Sequence, residues 1–273
     1  MKKLVTLLAL LSLSLSACTA APAEEDVLYV GMECAYAPFN WTQVESSETA
    51  LLINNEQGTG YCDGYDVQIA QAIAAEVGQE LIVKKIAWEG LIDALNNGEI
   101  DMIVAGMTDT AERRESVRFS IPYYASDLVL IVRNDSSFAN ATALVDFAGA
   151  SVVAQKGTFH DTVIDQIPNA IHGTPLGSFA LLTNAVVNKE FDAMVSEYPV
   201  ALSIVASNPV LKIISFEEGN GFATSFEDTT VSVAVALESV ELLESINTVL
   251  ANISEETRAE WMKDAIQRQP EGE

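Results

Sequence analysis

Apolar and polar positions follow two alternating periods along the middle of the chain. Residues 27–33, VLYVGME, form a short apolar run that reads as a strand. In YDVQIAQAIAAEVG, residues Val67, Ala70, Ile73, Ala74 and Val77 recur at helical spacing, with Asp66 placed to cap the start and Gly78 to stop the end. ELIVKKIA (80–87) predicts a strand, EGLIDALNNG a short helix ending at Gly98, and IDMIVAG a buried strand. This β-α-β-α-β order implies parallel strands with helices on the sheet faces. A second round starts at Ser151: SVVAQKG as strand, TFHDTVIDQI and GSFALLTNAVVNKE as helices, FDAMVSE as strand, YPVALSIVA as helix and LKIISF as strand.

The two rounds resemble each other at one point. ALNNGEIDMIVAGM (94–107) and AVVNKEFDAMVSEY (185–198) align without gaps and share Ala, Asn, Glu, Asp and Val at matched places. Two similar α/β lobes are therefore expected, with Gly106 and Glu197 at equivalent strand ends. Ligands of open α/β sheets sit beyond the carboxyl ends of strands, so these two positions would face each other across a cleft. Just after Gly106 comes MTDTAERR, in which Asp109 and Thr110 predict a helix start with Arg113 inside it. Arginine there opposes the helix dipole. Either Arg113 holds an anion together with free backbone N–H groups, or it pairs with a surface glutamate such as Glu112 or Glu115. A cation on one wall and a carboxylate on the other would suit a zwitterion.

The N-terminus changes the compartment. MKKLVTLLALLSLSLSAC carries Lys2 and Lys3, an apolar run too short to span and stay, and small residues, the pattern of a secretory signal. Its end, Leu15-Ser16-Ala17-Cys18, resembles a lipobox, which makes Cys18 the expected lipidation site and residues 1–18 the leader. An ordinary cleavage site that happens to carry a cysteine reads the same way. The net charge is −25, or −27 once Lys2 and Lys3 are removed with the leader. Nucleic acids and anionic headgroups need basic patches and are disfavoured as partners. Besides Cys18 there are only Cys34 and Cys62; a disulfide and two buried thiols are both open readings. His160 and His172 are the only histidines, with neither an H-E-x-x-H nor a G-x-S-x-G motif, and each reads as a surface residue.

VGMECAYAPFNW, GYDVQIAQAIAAEVG, WEGLIDALNNGEIDMIVAGMTDTAERRESVRFSIPYY, VVAQKGT and DAMVSEYP occur in an order and spacing that resembles the polar-amino-acid solute-binding proteins of bacterial ABC transporters. The resemblance covers residues 27–268 and is most specific from Trp88 to Tyr124. It implies an α/β fold of two lobes (periplasmic-binding-protein type II), each a mostly parallel sheet flanked by helices. It also implies an amino-acid ligand, a membrane permease as partner, and neither a cofactor nor a metal. Arg113, helped by Thr108, would pair with the ligand α-carboxylate. Gly106, beside Ala105, would offer its carbonyl to the α-ammonium, and Glu197 would complete that site, although many relatives have aspartate there. Tyr36 and Trp88 fall where relatives stack aromatic rings, and Thr158 at the second-lobe helix start that meets the carboxylate. Glu33, Gln155, Ser196 and Phe159 would border the ligand side chain, and one carboxylate beside two rings favours a basic amino acid, with an amide next.

Chain order then predicts one lobe from residues 24–126 and 229–273 and a second from 127–228, crossed near YASD and FEDT. The segment 42–60 resembles a loop insertion near the cleft mouth. A monomeric, exported, lipid-anchored binding protein is expected. An exported dehydratase acting on cyclohexadienyl acids is the alternative on the same fold, using a cleft carboxylate as acid or base. A ligand-sensing domain is the third reading, although no membrane span or signalling domain follows within the 273 residues.

Overall fold

The computed structural model describes residues 27–54 and 60–270. The leader, Cys18, residues 24–26 and 271–273, and part of the 42–60 segment lie outside the described residues.

Two five-stranded sheets organise the chain, and they are built alike. The first has the order Glu80–Lys85, Val27–Met32, Met102–Ile103, Ala234–Ala236, Val117–Phe119. Its first three strands run parallel, and only Ala234–Ala236 runs against its neighbours. The second has the order Ile171–His172, Ser151–Val153, Ala193–Glu197, Leu128–Arg133, Leu211–Ile214. Here only Leu128–Arg133 is reversed. In both sheets the reversed strand is the one that enters after the chain has crossed over. The crossings pair with each other: Tyr124–Ala125 lies antiparallel to Thr230–Val231, which makes a two-stranded ribbon between the sheets.

The sequence similarity between the rounds has a physical counterpart. Gly98 and Lys189, at matched places after their helices, are both left-handed, with φ of 74° and 68°. Glu99 N–H donates to the Ala94 carbonyl and Glu190 N–H to the Ala185 carbonyl, both at 2.9 Å. Asp101 then accepts the Tyr29 N–H at 2.7 Å and Asp192 the Ser151 N–H at 2.9 Å. The shared aspartate therefore pins each inner strand to its neighbour. With Tyr29 and Ser151 equivalent, the next four steps make Glu33 and Gln155 equivalent as well.

The helix Tyr65–Val77 forms as its spacing predicts and ends on left-handed Gly78, whose N–H reaches the Ala74 carbonyl. Asp66 is not its cap. Gly64 holds that place, and Asp66 lies one residue inside, fully buried. This helix packs against Val240–Asn252 and Glu255–Arg268, the two C-terminal helices. The 42–60 segment is more than a loop. Asn40–Gln43 and Leu51–Leu52 flank Tyr61–Asp63 in an antiparallel sheet that also holds Ala35–Tyr36. Cys34 and Cys62 are disulfide-bonded and tie this sheet to the end of the first strand. No described helix is long and apolar enough to cross a membrane.

Candidate functional site

Strand ends from both lobes meet around one cavity between the lobes. Val27–Met32 delivers Glu33, and Ser151–Val153 delivers Gln155 at the equivalent place. Gln155 Nε2 donates to Glu33 Oε2 at 3.3 Å and to the Gly177 carbonyl at 3.2 Å. Both side chains are buried. Burial pushes the Glu33 carboxyl above its usual value, against the opposing pull of the Gln155 hydrogen bond and the Lys85 charge.

The second pair of matched ends is Gly106 and Glu197, and both line the cavity. Gly106 has φ of 61°, and a Cβ there would stand 2.8 Å from the Tyr36 ring. Glycine thus lets the aromatic wall lie directly on the backbone. Tyr36 stacks on Phe39, with centroids 5.4 Å apart, and meets Phe179 of the second lobe at 4.8 Å. Its hydroxyl donates to Glu197 Oε2, and His160 Nε2 lies 3.2 Å from Glu197 Oε1. Burial alone would push the Glu197 carboxyl up. The His160 charge and the hydrogen bonds from His160 and Tyr36 outweigh it and hold the group below its usual value.

At the other end stands Arg113, but not at a helix start. Arg113–Glu115 is a single 3₁₀ turn, too short for a macrodipole, so the dipole argument does not apply. Arg113 Nη1 donates to the Thr108 carbonyl at 2.6 Å and Nη2 to the Gly157 carbonyl of the second lobe at 3.0 Å. The guanidinium lies 5.1 Å from the Trp88 ring centre. Among the described residues no carboxylate comes within 4.0 Å of it, and Arg114 instead forms the surface pair, with Asp109 at 2.6 Å. Burial lowers the Arg113 pKa to about 10, against the raising influence of Glu112 and Asp109, so the group stays charged at neutral pH. Thr158 precedes the helix Phe159–Val163 but does not cap it with its side chain, because its hydroxyl donates to the Gln155 carbonyl at 2.7 Å.

Glu33, Tyr36, Trp88, Gly106, Thr108, Arg113, Gln155, Thr158, Phe159 and Glu197 all line the one cavity. Ala105 and Ser196 do not. Each immediately precedes a lining residue, and each is itself buried away from the cavity. The lining residue that sequence reasoning missed is His160. It is buried against Phe179 rather than at the surface, with ring centroids 6.0 Å apart. The helical spacing of TFHDTVIDQI would have put His160 beside Phe159 and Val163, which was the available signal. His172 does sit near the surface, between Asp161 at 2.8 Å and Asp165 at 2.9 Å.

The lobes touch across this cleft through further pairs. Trp88 Nε1 donates to the Gly157 carbonyl at 3.3 Å, and Lys156 Nζ meets Glu89 at 2.6 Å. The result is an enclosed space with a cation and an aromatic face at one end and carboxylates at the other.

Known proteins share this architecture. A "Probable histidine-binding protein" of Campylobacter jejuni is 32% identical over 244 residues, covering 83% of this chain and 87% of its own. "Arginine-binding extracellular protein ArtP" of Bacillus subtilis is 24% identical over 271 residues, covering 96% of this chain and 97% of its own. The solved structure of the amino acid ABC transporter substrate-binding protein AbpA from Streptococcus pneumoniae, bound to L-arginine, superposes with a TM-score of 0.74. It is 25% identical and covers 89% of this chain and 95% of its own. These relatives are binding proteins rather than enzymes. Residues 28–265 match the bacterial extracellular solute-binding proteins, family 3, and the chain belongs to that family.

Proposed function

We propose that this protein captures one polar or basic L-amino acid between its lobes and delivers it to the permease of an ABC importer. The observation that carries the reading is Arg113, a charged guanidinium in an enclosed cleft with two carbonyls and a ring around it but, among the described residues, no carboxylate within 4.0 Å. An α-carboxylate supplies the missing partner, and a paired Arg fork is its best protein match. Thr108 and Thr158 stand beside it, and Tyr36, Trp88 and Phe159 wall the ligand. Glu197, kept ionised by His160 and Tyr36, takes the α-ammonium with the Gly106 carbonyl. Ala105 and Ser196 support these two strand ends from behind. Glu33 and Gln155 are left for the side chain, which favours a cationic or amide group; the relatives named for histidine and arginine binding agree with that preference.

The lobes divide at about 126/127 and 228/229, and the paired crossings Tyr124–Ala125 and Thr230–Val231 serve as the hinge. Ligand favours closure because only the closed form touches it from both sides. The protein acts as a monomer held to the cell membrane by lipid on Cys18. Replacing Cys18 by serine should release it, and unchanged membrane retention would contradict the anchor.

The test is titration of the purified, ligand-stripped protein with the twenty amino acids by calorimetry. A few basic or amide L-amino acids should bind at micromolar or tighter affinity, about 8 kcal/mol or more. Turnover of a cyclohexadienyl acid, or binding confined to acidic or apolar amino acids, would overturn the assignment.

A further inference from the structure

Asp66 is fully buried and does not line the cleft cavity. It accepts Asn40 Nδ2 at 2.7 Å and the Tyr123 hydroxyl at 2.7 Å. The same hydroxyl accepts the Gly106 N–H at 3.0 Å. One phenol therefore joins a buried carboxyl to the backbone that lines the cleft. Tyr123 is also fixed from other directions. Tyr65, beside Asp66, donates its hydroxyl to the Tyr123 carbonyl at 2.8 Å, and Tyr123 N–H donates to the Val231 carbonyl at 2.9 Å. Ser232 N–H donates to the Met107 carbonyl at 2.9 Å. Residues 106–107 are thus tied both to the segment entering the first crossing and to the one leaving the second.

We propose that Asp66 is a positioning residue: through Tyr123 it fixes the Gly106 peptide and links the amine end of the cleft to the two crossings. Charge on Asp66 and occupancy of that end by an ammonium group are then coupled. The proposal rests on the reading that the ligand α-ammonium is held at Gly106 and Glu197.

The physical basis is a short hydrogen-bonded chain in a dry interior, where each member polarises the next. An ionised Asp66 draws the Tyr123 proton toward itself and leaves the phenol oxygen a better acceptor for Gly106 N–H. It also adds negative potential beneath the amine end. The titratable and charged groups around it are Tyr65 on its own helix, Tyr123 just before the first crossing and Tyr124 in it, Tyr36 on the cleft wall, Glu197 from the second lobe, and Arg258, whose charge acts on Tyr65. Burial pushes Asp66 up to about 7, with the hydrogen bonds from Tyr123 and Asn40 pulling down and the Glu197 charge pushing up. An ammonium group in the cleft offsets the Glu197 repulsion and favours the ionised form. Binding near neutral pH therefore releases a proton from Asp66.

Two measurements decide this. The first needs no amino acid: the Gly106 amide signal is followed by NMR from pH 5.5 to 8.5. It should titrate with a midpoint near 7 in the parent and stay flat in Asp66→Asn, which keeps the shape and loses the charge. A flat parent signal, or an unchanged titration in Asp66→Asn, overturns the relay. The second is calorimetry with L-arginine and L-glutamine, neither of which changes side-chain charge in this range. Parent affinity should rise severalfold from pH 6 to 8, Asp66→Asn should lose most of that slope, and Tyr123→Phe should bind about tenfold more weakly. An unchanged slope in Asp66→Asn contradicts the coupling. If neither amino acid binds the parent, the ligand assignment fails while the Gly106 titration still decides the relay.

Discussion

Glu33 and Gln155 occupy the same place in the two lobes and meet across the cleft, with Gln155 Nε2 donating to Glu33 Oε2 at 3.3 Å. One matched position thus carries a carboxylate and the other its neutral amide counterpart. A pair of this kind accepts a cation at one side and tolerates a neutral polar group at the other.

Replacing Glu33 by glutamine should separate ligands by charge. Binding of L-arginine and L-lysine should weaken by at least about tenfold, because a charge-assisted bond is worth ~1.5–3 kcal/mol. L-glutamine should be spared. Equal losses for every ligand in calorimetry would mean that Glu33 does not read the side chain. The same variant changes stability with pH. Because the folded Glu33 is raised, its stabilising contribution is full below the usual carboxylate range and is lost as pH rises through the raised value. Denaturant melts of Glu33→Gln should show that loss removed.

His160 predicts the opposite limb. Glu197 is held below its usual value, so its contribution is present at neutral pH and disappears as pH falls through that lowered value. Replacing His160 by alanine removes the partner and should move acid unfolding to higher pH. It should also weaken every amino acid, since Glu197 would then be easier to protonate. An unchanged acid transition in thermal melts across pH 3–6 would show that His160 does not sustain the Glu197 charge.

Gly106 tests the floor of the cleft. A Cβ there stands 2.8 Å from the Tyr36 ring on a backbone with φ of 61°. Gly106→Ala should cost ~1–3 kcal/mol of stability and displace the Tyr36 ring from Glu197. A variant with parent stability and parent affinities would mean that the wall has room to retreat.

Much of this was legible in the pattern of residues, and the rest was hidden for physical reasons. Period alone gave the helix Tyr65–Val77 and the inner strands, because long apolar spacings survive in any context. The left-handed Gly98 could be read from its residue type, but Lys189 in the same conformation could not. The dipole argument for Arg113 failed because Asp109 and Thr110 open a turn rather than a helix, although the residue does stand in the cleft. The reversed strands Leu128–Arg133 and Ala234–Ala236 had no signal in local order, because their direction is set by the crossings. Asp66 read as a cap because a capping aspartate and a buried one look the same until Asn40 and Tyr123, distant in sequence, are seen to converge on it.

The most direct test of amino-acid capture is Arg113→Ala, titrated with every amino acid that the parent binds. If the guanidinium holds the α-carboxylate, all ligands should lose at least ~2 kcal/mol alike, because all carry the group left without its partner. Tryptophan fluorescence, with Trp88 beside the guanidinium, and calorimetry should agree on that loss. Parent affinities in Arg113→Ala would contradict the account and return Arg113 to the role of a cleft-side structural residue, bonded only to the Thr108 and Gly157 carbonyls.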